Sequence, residues 1–281
     1  MAATMPSYVG DALRGELRLP AVPRVVRRAI ELLREPGASM HLLAEELAQD
    51  PIMSSKVLRL ANSPYYAGGR SVASIADAVT VVGTQSLYTL IIACGLKSVF
   101  VEVPSVHMRD FWLNAIVTAG AARSLARLSG ADPEQAYLAG LLHRTGHLIL
   151  CQAFPVQAAE NFSASRMIHG ERLARKERDS FGASHLEVSA HWCEGLRLPE
   201  AVGDAVQGYL TPEQTSPDSL ASHVCIAARL AASVDAGDTV ADAMAQADGN
   251  LLRFARIDIE RFERDFAAQY ADIRQLAVNA T

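Results

Sequence analysis

Aspartate followed by proline opens an apolar segment of helical spacing twice in this chain, at Asp50-Pro51 and again at Asp132-Pro133. The aspartate side chain can accept from the free N–H groups of a first helical turn, and proline at that point gives up an N–H that would have had no partner. Other helix signals surround these two. Val22, Val25, Val26, Ala29, Ile30 and Leu33 fall at helical spacing, and Pro36-Gly37 predicts the end of that helix. Ser39 predicts a second helix through Leu42, Leu43 and Leu47, and Pro51 a third through Ile52, Val57, Leu58 and Leu60 that stops before Pro64. Ser74 caps a segment ended by Gly83, and Thr84 starts the next. Ser184 and Glu187 match a capping box that puts His185 at a helix start. Leu198-Pro199 precedes another helix, followed by apolar segments at Val224 to Val234 and a charged amphipathic one from Ile259.

No segment alternates with period two and no fixed-period repeat is visible, so the expected fold is all-α. Leu58, Leu60, Leu87, Ile91, Leu141 and Leu142 are the expected core positions. Half of the residues are hydrophobic and a fifth are charged, enough apolar surface for one large core or two packed lobes and too little charge for disorder. The Pro-, Ser- and Thr-rich stretch from Thr211 to Ser219 is the best linker candidate.

A net charge of −5 gives no overall attraction to nucleic acid or to an anionic membrane. The first twenty residues carry no apolar run behind a basic start, so a secretory signal is not expected and the cytoplasm is the expected compartment. The apolar run Leu87 to Val103 is interrupted by Lys97 and Glu102, which suits a buried helix better than a membrane span. Cys94, Cys151, Cys193 and Cys225 form no Cys-x-x-Cys pair and read as reduced core residues.

The segment Gly140 to Leu150, GLLHRTGHLIL, carries the chemistry worth weighing. His143 and His147 are four residues apart, which on one helix face is a zinc-binding spacing, and His185 is a candidate third ligand. Gly146 stands between the two histidines as a potential break. No phosphate-cradling glycine loop, nucleophile elbow or paired-carboxylate signature accompanies them.

Taken with LPAVPRVVRRAIELL at Leu19 to Leu33, QDPIMSSKVLRLANSPYY at Gln49 to Tyr66, SIADAVTVVGTQSL at Ser74 to Leu87, Phe111-Trp112 and FGASHLEVSAHWCEGLRLPEAV at Phe181 to Val202, this segment resembles the HDOD family, bacterial signalling domains related to the HD and HD-GYP phosphohydrolases. The resemblance covers about residues 15 to 211. It implies an N-terminal helical lobe, about 15–103, packed on an HD-like helical lobe from about 104, with 212–281 as a helical segment completing or extending the second lobe.

The resemblance also implies a lost metal site. HD enzymes hold divalent metal with an upstream histidine, a His-Asp pair and a distant aspartate. Here Asn114, His143 with Arg144, and Ala228 fall at those places, and Gly208-Tyr209 falls where paired histidines are common. Hard cations want carboxylate oxygen and imidazole nitrogen, and a cation in place of the central carboxylate opposes them. The expectation is therefore no catalytic residue, no metal and no cofactor.

What the resemblance implies instead is a non-catalytic regulatory module, working through a protein partner in a signalling pathway or through a small ligand, with a possible link to second-messenger nucleotides. Asn114, His143, Arg144, His147 and His185 are the candidate contacts at the degenerate cleft. Arg144 could bind an anion in forked geometry, and the plainer expectation for it is a salt bridge to a neighbouring carboxylate. Two alternatives stay open: a residual or rearranged metal-dependent phosphohydrolase, and a DNA-binding regulator using Ser39 to Ala61 as a helix-turn-helix. The apolar Val57, Leu58 and Leu60 on the would-be recognition helix argue against nucleic acid.

Overall fold

The computed structural model describes residues 19–34, 44–45, 47, 49–163, 167–216, 219–246, 249–255 and 257–280. Among them no strand occurs. The first lobe comprises α1 (Arg24–Arg34), α2 (Pro51–Ala61), α3 (Pro64–Ala67), α4 (Ile75–Val82) and α5 (Thr84–Val99). The second comprises α6 (Met108–Ser129), α7 (Pro133–Leu142), α8 (Thr145–Ala153), α9 (Pro155–Phe162), α10 (Gly170–Phe181), α11 (His185–Gly195) and α12 (Glu200–Gly208). After a 3-10 turn at Pro212–Gln214 come α13 (Leu220–Asp235), α14 (Val240–Ala245), α15 (Gly249–Phe254) and α16 (Ile259–Ala280). No single helix among the described residues is long and apolar enough to cross a membrane.

The helix starts lie where the local chemistry puts them. Asp50 accepts from Met53 N, Asp132 accepts from Glu134 N and Gln135 N, and Pro51 and Pro133 occupy the first turn. Ser74 with Asp77 and Ser184 with Glu187 form capping boxes, and Gly83 ends α4 at φ 84. Pro36-Gly37 and most of the expected Ser39 helix lie outside the described residues, although Leu47 is buried.

In the first lobe α5 is central, with α1 and α2 packed on it and Leu87, Leu90 and Ile91 fully enclosed. The inward face of α2 is Met53, Val57, Leu60 and Ala61. Leu58, one residue and about 100° around from Val57, falls on the flank and is only partly buried, contrary to expectation. Ile52 is 70% exposed for the same reason.

In the second lobe α6 is the axis: α7, α13 and α16 all pack along it. The contact with α7 is so close that a Cβ on Gly140 would sit 2.8 Å from the Ala119 Cα. The stretch expected as a linker holds the 3-10 turn, with Pro212 buried, and Ser219 caps α13 through Ala221 N.

A buried polar cluster joins the lobes. Arg123 of α6 pairs with Glu134 of α7, donates to the Tyr66 hydroxyl at 2.9 Å, and lies 4.4 Å from the Tyr137 ring centre. Ser86 of α5 donates to Glu134 at 3.0 Å, so the same carboxylate is held from both lobes. Tyr65 and Tyr66 are supplied by α3, whose approach is fixed by Asn62: its amide meets the Val72 backbone on both sides, at 2.6 and 2.9 Å.

Candidate functional site

The helix carrying the Gly140 to Leu150 segment breaks in its middle. His143 ends α7, Arg144 leaves helical geometry at φ −121 and ψ 8, and α8 begins at Thr145. His143 and His147 are therefore on different helices and do not share a face. Gly146 is the reason α8 can lie where it does. A Cβ there would come 2.4 Å from the His185 carbonyl oxygen and 2.8 Å from Ser189 N, so only glycine allows α8 to meet α11 this closely. Gly146 N–H donates to Ser189 Oγ at 2.7 Å across the contact.

Arg144 is 4% exposed. Its Nη1 donates to Met167 Sδ at 2.9 Å and faces His169 Nδ1 at 3.2 Å and Asn114 Oδ1 at 3.5 Å; its Nη2 donates to the Ile168 carbonyl at 3.0 Å. Nε has no partner. The expected salt bridge is not formed: among the described residues no carboxylate touches the guanidinium. Asp235 reaches it indirectly, by accepting from Asn114 Nδ2 at 2.7 Å. Burial lowers the affinity of Arg144 for its proton, and the field of Tyr209, Glu177 and Asp235 acts the other way. The carboxylate that α13 brings to the cleft is thus Asp235, about two turns beyond Ala228.

Burial raises the Asp235 carboxyl to about 6 although Asn114 and Arg144 pull it down. His169 lies 3.8 Å from it and is held at about 3 by burial and by Arg144. His143, 1% exposed, has Nδ1 2.6 Å from the Gly140 carbonyl and its ring against Tyr209 at 5.2 Å. Burial, with Arg144 adding, keeps it well below the ordinary histidine value and so neutral.

Next to this chain sits a triad of a different kind. Glu177 of α10, with no exposed surface, takes His147 Nδ1 on one oxygen at 2.8 Å and both His185 Nδ1 and His185 N on the other at 2.5 and 2.7 Å. His185 Nε2 then meets the Tyr209 hydroxyl at 2.8 Å. Burial alone would raise the Glu177 carboxyl, but the two histidines bring it down to about 2, so it is ionised. His147 is itself held below its ordinary value by burial. Both Glu177 oxygens and both His185 ring nitrogens are partnered, while His147 also borders a small cavity of about 60 Å³ that it shares with Arg144, Met167 and Phe162.

All five expected cleft residues are buried: Asn114, His143, Arg144, His147 and His185 show at most 6% of their surface. Four of them fall in two connected groupings, Asn114 with Arg144 and His147 with His185 through Glu177, while His143 bonds to the Gly140 carbonyl and lies against Tyr209. Sequence reasoning missed Glu177, His169 and Asp235, and read Tyr209 only as a lost histidine. Glu177 had a signal: on the otherwise charged α10 it follows Leu173 and Ala174 at helical spacing and precedes Phe181, which places it on the apolar face.

The residues present do not fit a divalent cation. One imidazole of the family's ligand set remains, and its Nδ1–H donation to the Gly140 carbonyl leaves Nε2 free, but the Arg144 guanidinium lies where the resemblance puts the central carboxylate and Asn114 is committed between Arg144 and Asp235. What the arrangement can do is present a rigid, internally bonded wall. Beside it an open groove of about 810 Å³ runs past Asp110, His169, Asp235, Tyr270 and Arg274.

The HDOD domain model matches residues 19–211. The fold is similar to that of a candidate phosphohydrolase from Shewanella amazonensis SB2B, at 25% identity and a TM-score of 0.81, covering 96% of this chain and 98% of that one. It is similar also to an HDOD domain protein of unknown function from Geobacter sulfurreducens, at 22% identity, a TM-score of 0.80 and coverage of 98% and 97%. A candidate signal transduction protein from Marinobacter aquaeolei VT8 matches at 24% identity and a TM-score of 0.72, over 98% of this chain and 65% of that chain. An uncharacterised protein of Treponema pallidum (strain Nichols) is 26% identical over 265 residues, 92% of this chain, and the chain spans 49% of that relative's length.

Proposed function

The chain belongs to the HDOD family, and from that premise we propose that it is a regulatory module that binds a protein partner and carries out no metal-dependent hydrolysis. One observation carries the reading: the guanidinium of Arg144 lies buried where the resemblance puts the central metal-binding carboxylate, held by the Ile168 carbonyl, His169 and Asn114. A buried, hydrogen-bonded cation is a structural element, and swinging it out would strand the acceptors it satisfies. The partner meets the groove rim, where Asp110, Tyr270 and Arg274 are accessible, while Asn114, Arg144 and His169 fix the rim from behind. The signal transduction name carried by the Marinobacter relative agrees with this role.

Phosphohydrolysis is the second reading, favoured by the name of the Shewanella relative. The two separate in one preparation of the full chain. The regulatory reading expects no stoichiometric metal after dialysis and no manganese-dependent turnover of bis(p-nitrophenyl) phosphate. About one Mn, Fe or Zn per chain, lost on His143→Ala, would establish the second reading instead. Capture from the native host, with and without added cyclic dinucleotide, should retain a specific protein that an Asp110→Lys, Arg274→Glu rim variant releases.

A further inference from the structure

The junction of the lobes encloses another pocket, of about 600 Å³, on a different face of α6 from the cleft. Its apolar wall is built by both lobes: Leu60 of α2, Ala93 and Cys94 of α5, Ile116 of α6, Leu141 of α7 and Leu276 of α16. Four cations stand around it. Lys56 and Arg59 are one turn apart on α2, Lys97 lies a turn beyond Ala93 and Cys94 on α5, and Arg109 sits in the first turn of α6.

Among the described residues none of these four side chains has an ion pair and no aspartate or glutamate lines the pocket. Four like charges around an apolar cavity repel one another and concentrate a positive field in it. Burial lowers Lys97 to about 8; Cys94 acts the other way, and Arg59 and Lys56 push with burial. Such a site is complementary to an anion, and its volume is in the range of small-molecule sites.

The wall also says which kind of anion. Recognition of a nucleobase uses acceptors and donors along its edge and a planar face, aromatic or guanidinium, to stack on. Among the described residues this lining offers no Asn, Gln, Asp or Glu side chain to accept from a base edge, the Ser98 hydroxyl is spent on the Gly95 carbonyl, and Trp112, Tyr137 and Phe100 are each at most 2% exposed, with no ring face free. Burial pushes the Cys94 thiol up to about 12, so no thiolate is there to form a covalent adduct. What remains is an apolar floor with a cationic mouth.

We propose that this pocket binds a free single-chain amphiphilic anion, an acyl carboxylate or alkyl phosphate, with its chain against the accessible apolar lining of Leu60, Ala93, Met108 and Val101 and its head group met by Lys56, Arg59, Lys97 and Arg109. The proposal stands apart from the cleft reading, since the two sites share no lining residue. Monomeric dodecanoate, titrated calorimetrically into the full chain, should bind once per chain and perturb the fluorescence of Trp112. Lys97→Met, which keeps the apolar stem, should weaken it at least tenfold, as should the Lys56→Met, Arg59→Met pair on the surface of α2. Dodecanol should bind at least tenfold more weakly than dodecanoate, and added salt should narrow that gap. Equal binding of the alcohol overturns the proposal, as does unchanged affinity in both variants or no binding of dodecanoate. Binding of a cyclic dinucleotide or of phosphatidylglycerol vesicles that depends on Lys97, without dodecanoate binding, overturns it too.

Discussion

Asn114 gives its amide N–H to Asp235 at 2.7 Å while its carbonyl oxygen faces Arg144 at 3.5 Å. One neutral side chain thus bridges a cation and a carboxylate, and it has to be turned in the one direction that suits both. That arrangement bears directly on what a single reversion at position 144 can achieve.

Arg144→Asp restores a His-Asp pair but is expected to give no metal-dependent phosphodiesterase activity. It leaves the Ile168 carbonyl unpaired and adds a carboxylate to a cleft that already holds Asp235. Metal hydrolysis needs several oriented ligands, and the substitution supplies one. Stability should fall by about 3 kcal/mol, read by urea denaturation. Turnover of bis(p-nitrophenyl) phosphate that requires manganese would show an almost intact metal site.

Acid should destabilise the protein from near neutrality downward. His143, His147, His169 and His223 all have folded values below the ordinary one, first because of burial. The unfolded chain takes up those protons at about pH 6.5 and the folded chain does not, so stability is full above that value and falls as pH drops below it. Each histidine contributes about 1.4 kcal/mol per pH unit until its folded value is reached. Asp235, raised to about 6 by burial, opposes them by one proton between about pH 6 and pH 4, and Glu177 adds to the loss lower down. The Glu177 carboxyl, held at about 2, contributes stability above about pH 4.5 that is lost as pH falls toward 2. Melting temperature measured from pH 8 to 4 should be flat at first and then decline with a slope of more than one proton. A maximum near pH 5 would contradict these assignments.

Arg123→Met should cost about 3 to 5 kcal/mol, because it leaves the buried Glu134 carboxylate facing Ser86 with its cation gone. Adding Glu134→Gln should recover part of the loss. A double-mutant cycle from chemical denaturation reads this coupling, and strict additivity would mean that the two side chains do not act as a pair.

Gly146→Ala should lower stability by about 2 kcal/mol or more, since the new methyl meets backbone atoms of His185 and Ser189 that cannot turn away. Gly203→Ala is the control. Its nearest atom is Cys193 Cβ at 3.9 Å, and alanine there should be neutral or stabilising in α12. Equal melting temperatures for the two variants would show that α8 and α11 can separate at little cost.

Helix starts were legible because they are local: Asp50, Ser74 and Asp132 accept from backbone within a turn, Ser184 pairs with Glu187 three residues on, and the sequence within that turn is all the information required. Leu58 was misjudged because an apolar residue beside Val57 reads as core until the angle of the packed face is known. The site was harder. Arg144 and His147 lie three residues apart, yet their partners come from positions 114, 168, 169 and 177, while His143 bonds back to Gly140 and the helix break at Arg144 separates it from His147. Spacing reports which residues share a helix only while the helix lasts. The ion pair expected for Arg144 failed for a related reason: nothing local says that Asn114 will stand between it and Asp235.

The match that identifies the family ends at residue 211, and the packing around α6 does not. Ile273 of α16 lies against Gly120, and Phe262, Phe266 and Leu276 are enclosed with it, while α13 covers another side of the same axis. A gene fragment cut at that match boundary would encode everything by which the family is recognised and still lack two sides of its own core. Expressed alone, it would present the stripped flank of the longest internal helix to water, and to other copies of itself.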